Sequence, residues 1–125
     1  MDYKGDKMKK AFRVKENKEF QDIFKNGKSF ANRQLVIYYR KKQDQTHFRV
    51  GLSVGRKIGN AVTRNRIKRY LRQAFRELED QIQSQCDIII IARKPTKDMA
   101  FSEVKSSLIH LLSRERLFKK DQRRK

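Results

Sequence analysis

Of 125 residues, one is cysteine, one is proline, five are glycine and none is tryptophan. A lone Cys86 rules out an intrachain disulfide framework and any cysteine-cluster metal site, and it suits a reducing compartment. With Pro95 the single proline and glycine scarce, element boundaries have to be read from changes in hydrophobic period. Negative charge is also in short supply: 14 Asp and Glu stand against 33 Lys and Arg, a formal net charge of +19. No apolar run approaches the roughly 18 residues that a membrane-spanning helix needs. The opening MDYKGDKMKK has no apolar signal-peptide core. The expectation is a soluble, cytoplasmic protein with no membrane partner.

What is present suffices for one modest core. Apolar residues make up 37% of the chain and include eight phenylalanines, and the length fits one domain. Residues 11–119 are expected to form that domain, residues 1–10 a flexible extension or arm, and residues 120–125 a basic C-terminal tail. Met8 is an alternative start for a shorter natural product. A positive surplus this large must face water or a polyanion, because burying unpaired charge is costly. Nucleic acid is the leading partner class, and a ribosomal or histone-like role or an acidic membrane surface are the others; charge alone does not choose among them.

The pattern along the chain predicts helix, strands, helix, strand, helix. Phe20, Ile23 and Phe24 share one stripe of a first helix over about 16–26, which Gly27 stops. QLVIYY at 34–39 reads as a strand, with a short strand before it near Ser29 or Phe30. In HFRVGLSV, Phe48, Val50, Leu52 and Val54 alternate onto one face and read as core. A basic connector, GRKIGN, leads into a long helical segment in which Ile67, Leu71, Ala74, Leu78 and Ile82 form the buried stripe. Asn65, Arg69, Arg72 and Arg76 lie broadly opposite that stripe, with Arg66 and Lys68 on its flanks. CDIIIIAR reads as a central strand covered on both faces, and Pro95 marks its exit. A last helix runs from Phe101 to about Phe118, packing through Val104, Leu108, Leu111 or Leu112, and Leu117. The expected architecture is α+β: a compact α/β sandwich with a mixed central sheet.

The strongest functional signal lies between Arg56 and Arg76, where Arg56, Lys57, Arg64, Arg66, Lys68, Arg69, Arg72 and Arg76 occur without one acidic residue. Phosphate neutralisation by such a patch releases counterions and makes binding salt-sensitive; the bland alternative is a solvated helix face. Gly59 allows close backbone approach, and Asn60 is placed to cap the helix that follows, whose free amides suit phosphate. Asn65 either adds amide contacts or caps local backbone. Neither a Walker A loop nor a dinucleotide fingerprint is present, which excludes those routes to ATP or NAD.

ANRQ at 31–34, GLSVGRKIGNAVTRNRIKRYLRQAF at 51–75 and IIIARKP at 89–95 together resemble the bacterial ribonuclease P protein family, over nearly the whole chain after its leading extension. Arg64, Asn65 and Arg66 match the family's RNA-binding motif. The resemblance implies an α/β sandwich with a left-handed crossover, a hand opposite to the usual one. It also implies a ribonucleoprotein that hydrolyses the phosphodiester at the mature 5′ end of precursor tRNA, releasing the leader. Catalysis would lie in the RNA, with magnesium in the RNA-containing holoenzyme, no cofactor on the protein, no catalytic side chain in the protein and one protein per catalytic RNA. The expected contacts with that RNA are Arg56, Lys57, Gly59, Asn60, Arg64, Asn65, Arg66, Lys68, Arg69 and Arg72.

Phe20 and Phe24 admit two readings. Paired burial is the default for aromatics on one helix face, whereas a partly open pair can stack on unpaired bases. The resemblance places such aromatics near the 5′ leader, with phosphate contacts from Arg13 and Lys15 and a contribution from Tyr38. Arg33 either supports the sheet edge or faces RNA. A protein-only nuclease has little behind it: His47 and His110 are far apart, no carboxylate set marks a two-metal centre, and Cys86 lacks a partner histidine. The runner-up function is a basic ribosomal or general RNA-binding protein without precursor-processing activity.

Overall fold

The β-branched run at Cys86–Ala92 becomes the interior strand β4 of a four-stranded sheet, in the computed structural model, which describes residues 12–120. The other strands are β1 (Lys28–Ala31), β2 (Leu35–Lys41) and β3 (Arg49–Ser53), and the spatial order is β1-β2-β4-β3. β2 runs antiparallel to both of its neighbours, and β3 runs parallel to β4. The sheet is therefore mixed, as expected. The proposed arm at 1–10 lies outside the described residues, as does the tail beyond Lys120.

Strand alternation divides the sheet into two faces. Leu35, Ile37, Tyr39, Val50, Ile88 and Ile90 point to one side, where α2 (Ala61–Leu78) and α3 (Phe101–Arg114) cover them with Ile67, Leu71, Phe75, Val104, Leu108, Leu111 and Leu112. Ile89 points to the other side and packs with Val14 and with Ile23 of α1 (Asn17–Asn26), with Phe20, Tyr38 and Ile91 around them. Both faces of β4 are covered over most of its length, which is why its sequence is apolar without alternation. Phe48, Val50 and Val54 are buried and Leu52 packs beside them, so the one-face reading of HFRVGLSV is correct. Gly51, between them, points the other way.

Two boundaries differ from the sequence expectation, each for a local physical reason. The helical segment after Asn60 ends at Leu78, and Ile82 follows a 3-10 turn at Glu79–Gln81. Ile82 is buried all the same, bridging to Phe118 outside any helix. The last helix ends at Arg114, because Arg116 adopts φ 60°. There the N–H of Leu117 donates to the Leu112 carbonyl and that of Arg116 to Ser113, a Schellman stop. This turn returns Leu117 to the core although it has left the helix. Gly27 does stop α1, but in extended backbone (φ −90°). Glycine is needed because a Cβ there would meet the Tyr39 carbonyl oxygen and lie 2.6 Å from that of Ile23.

Candidate nucleic-acid interface

The basic segment is presented by a helix start built for rigidity. Arg56–Ile58 form a 3-10 turn whose Ile58 is buried while Arg56 and Lys57 are exposed. A Cβ on Gly59 would come within 3.1 Å of Thr63, so the chain passes close over the first turn of α2. Asn60 caps that turn, its Oδ1 accepting from the Thr63 N–H at 2.9 Å. Both motif arginines brace backbone nearby. Arg64 Nε donates to the Gly59 carbonyl at 3.1 Å, and Arg66 Nη2 donates to the Lys97 carbonyl at 2.6 Å, in the Lys94–Asp98 turn after β4. Each guanidinium has five N–H donors, so most remain for a ligand. Asn65 and Arg69 are exposed, and Arg64, Arg66, Lys68 and Arg72 are half-buried. The first turn of α2 contains no acidic residue. Positive side chains and the positive end of the helix dipole thus act together on an anion. Arg76, expected on the outward face, is half-buried with Nη1 enclosed.

On the opposite face of the sheet, α1 is fastened at one end by charge. Asp87, fully buried on β4, receives Arg49 in a bidentate pair at 3.0 and 2.7 Å, and Arg49 Nη1 continues to Glu19 Oε2 at 2.8 Å. Arg40 pairs with Asp22 one turn further along α1. Burial raises the Glu19 carboxyl, but N–H donors from Glu16 and Lys15 and the Arg49 guanidinium outweigh it and hold Glu19 below its ordinary range. Phe20 turns its ring edge onto the backbone of β3, where a Cβ at Gly51 would be 2.5 Å from the ring. Phe24 is 39% exposed and meets Tyr38 edge-on at 4.9 Å. Both rings are therefore neither fully buried nor free: Phe20 is half-buried and Phe24 opens to solvent. Beyond α1, Val36 and Ile91 are only half-buried and Ala31 and Ser53 are exposed on the same face. This leaves an apolar floor open beside the aromatic pair.

The edge of β3 joins these two surfaces. A groove of about 150 Å³ there is lined by Arg13, Val14, Phe20, Gly51 and Leu52 on one side and by Lys68 and Arg72 of α2 on the other. It forms because the Val14 N–H donates to the Val50 carbonyl at 2.9 Å, laying the segment before α1 against the edge strand. Lys15 is exposed close by, at the entry to α1. Arg33 is not part of this arrangement. It is exposed at the β1–β2 turn, on a larger groove of about 640 Å³ with Met99, Ser106 and His110 of the α3 side. The polar floor of that groove is occupied internally: Asn32 Nδ2 donates to Ser107 Oγ at 2.9 Å, and its Oδ1 accepts from the Gln34 and Leu35 N–H groups.

The groups weighed as catalytic serve the fold. His47 stacks on Phe12 at 4.3 Å, and exposed His110 sits 3.2 Å from Asn32. Cys86 is buried, and burial pushes its thiol up to about 12, away from a reactive thiolate. Among the described residues no group of three His, Cys, Asp or Glu side chains is placed to hold a metal. No described helix is long and apolar enough to cross a membrane. Sequence reasoning missed Arg49, Asp87 and Gly51. A charged residue within CDIIII was the available signal for Asp87, and Gly51 in the middle of a strand pattern was the signal for close approach.

Comparison with known proteins agrees with this geometry. A family model described as Ribonuclease P matches residues 8–116. The ribonuclease P protein component of Oceanobacillus iheyensis is 66% identical over 112 residues, covering 90% of this chain and 93% of that protein. That of Listeria welshimeri is 61% identical, covering 90% and 94%. Among solved structures, the Staphylococcus aureus RNase P protein superimposes with a TM-score of 0.82 at 46% identity, covering 88% of this chain and all of that one. The Thermotoga maritima RNase P protein gives 0.75 at 36% identity, covering 82% and 96%.

Proposed function

This chain belongs to the bacterial ribonuclease P protein family, and on that premise we propose how its two surfaces divide the work of a tRNA-processing ribonucleoprotein. The α2 surface, through Arg56, Lys57, Gly59, Asn60, Arg64, Asn65, Arg66, Lys68, Arg69 and Arg72, docks the ribonuclease P RNA. The half-open sheet face, through Phe20, Phe24 and Tyr38 with Arg13 and Lys15, receives the single-stranded 5′ leader of precursor tRNA. Aromatic faces suit unstacked bases and the flanking cations suit phosphate. Arg33, on the far groove, is a weaker candidate for the leader and a better one for supporting the β1–β2 turn or meeting RNA there. Chemistry at the phosphodiester belongs to the RNA, with one protein per RNA, and the magnesium is bound there. The complex works in the cytoplasm.

The observation that carries this reading is the β3-edge groove, where Phe20 and Arg13 face Lys68 and Arg72 across one continuous surface. A leader on the sheet face and an RNA on α2 would then be held side by side. The test combines the full-length protein, its cognate ribonuclease P RNA and a 5′-labelled tRNA precursor at low magnesium. Protein-dependent cleavage at the mature 5′ boundary is expected. RNA affinity without any leader-dependent gain in processing would favour a general RNA-binding role instead, and cleavage by protein alone would move the chemistry onto the chain.

A further inference from the structure

Val62 is 76% exposed, and Phe24 is the only other large exposed hydrophobic side chain among the described residues. It occupies the second position of α2, two residues after the Asn60 cap. Nothing about a helix start favours valine there. Its β-branch restricts χ1, the positive end of the helix dipole favours Asp or Glu at that place, and no burial compensates. Helical spacing sets Val62 three, four and seven residues from Asn65, Arg66 and Arg69, on one stripe. Asn65 is exposed, and its side chain makes no hydrogen bond within the described residues.

The charges around this stripe call for a polyanion, but two methyl groups at its centre do not match phosphate. The RNA surface that offers ribose carbon, a 2′-hydroxyl and flanking phosphates together is the wide, shallow minor groove of an A-form helix. We propose that Val62 packs against the sugar face of such a groove in a structured RNA, with the Asn65 amide on a ribose 2′-hydroxyl and Arg66 and Arg69 on the phosphates to either side. The inference rests on the reading that α2 docks the ribonuclease P RNA, and it adds an apolar contact that makes the docking shape-selective as well as electrostatic.

Val62→Lys in the full-length chain separates the two kinds of surface. On a purely electrostatic face an added lysine tightens binding and steepens the salt dependence by about one phosphate contact. With Val62 seated on ribose, the same change weakens binding to the cognate RNA by about three- to tenfold, the scale of one lost aliphatic contact. Val62→Thr, close in shape and uncharged, is expected to lose less and to leave the salt slope unchanged. Hydroxyl-radical footprinting reads ribose burial directly: one patch of protected riboses is expected to vanish in Val62→Lys while protections elsewhere persist, with thermal melts showing both variants folded. Equal or tighter binding by Val62→Lys, or an unchanged footprint, overturns the inference. An Arg64→Gln, Arg66→Gln, Lys68→Gln, Arg72→Gln variant controls for the premise. If it keeps full affinity, the α2 reading falls and the Val62 contact with it; if it loses affinity while Val62→Lys does not, only the Val62 contact falls.

Discussion

Arg116 is the only non-glycine residue with positive φ among those described, and it holds the Schellman turn that ends α3. A side chain bearing a Cβ in this region costs about 1 kcal/mol relative to glycine. Arg116→Gly is therefore expected to raise the melting temperature by roughly 3–6 °C for a chain of this size, read by thermal denaturation; no gain would mean that Arg116 contributes contacts of its own. Gly51 is the opposite case, a glycine demanded by a neighbour. Gly51→Ala drives a Cβ into the Phe20 ring and is expected to cost about 1–3 kcal/mol as an overpacked site, measured by denaturant unfolding. Because the ring has to leave its seat on β3, affinity for leader-bearing tRNA should fall more than affinity for mature tRNA. An equal loss for both substrates would return Phe20 to a purely structural role.

At the scale of elements, α1 stays on the sheet through the Glu19–Arg49–Asp87 chain as much as through Ile23. Asp87 is fully buried, so Arg49→Met leaves an uncompensated interior charge and is expected to cost about 3–5 kcal/mol, whereas replacing Arg49 and Asp87 together by apolar residues should cost less. A double variant no more stable than the single one would contradict the clamp. The pH response follows from Glu19, whose folded-state pKa lies below its unfolded one. Its stabilising contribution is complete above about pH 4.3, the ordinary glutamate value, and is lost as pH falls through the folded pKa. Glu19→Gln retains an oxygen for the N–H groups of Glu16 and Lys15 but turns an amide toward Arg49. The parent should thus lose stability more steeply than Glu19→Gln on acidification below that value, as followed by urea unfolding across pH 3 to 6. Parallel profiles would remove Glu19 from the clamp.

For the whole molecule, a net charge of +19 makes every RNA contact partly electrostatic, so the issue is which charges are placed and which are diffuse. Replacing Arg64, Arg66, Lys68 and Arg72 by glutamine deletes charge from a braced helix start without opening a core cavity. It is expected to weaken binding to the ribonuclease P RNA and to flatten the dependence of log affinity on log salt by about 0.7 to 0.9 per lost phosphate contact. Removal of residues 121–125 should reduce affinity less. Equal losses would show that total charge, not its position on α2, governs docking.

The periods of the sequence were sufficient to determine that a sheet flanked by helices would form, which residues would bury one face of α2, and that β4 would be interior, because these depend on local alternation and spacing. The run from Arg56 to Arg76 was legible as a concentrated positive segment because its composition alone, eight Lys and Arg with no acidic residue, shows it. Where α1 would sit, and hence how open the aromatic pair would be, was decided only in three dimensions. The residues that place it, Arg49, Asp87 and Gly51, come from β3 and β4, and their partners Glu19 and Phe20 lie some thirty or more positions earlier. No periodicity connects residues so far apart. Tertiary structure likewise separated Arg33 from the other leader candidates by turning it onto the α3 side, and it carried Leu117 and Ile82 into the core after their helices had ended. Burial rewards a position in space, and a chain that can turn at Arg116 or at Glu79–Gln81 reaches that position without the helical spacing by which a sequence announces it.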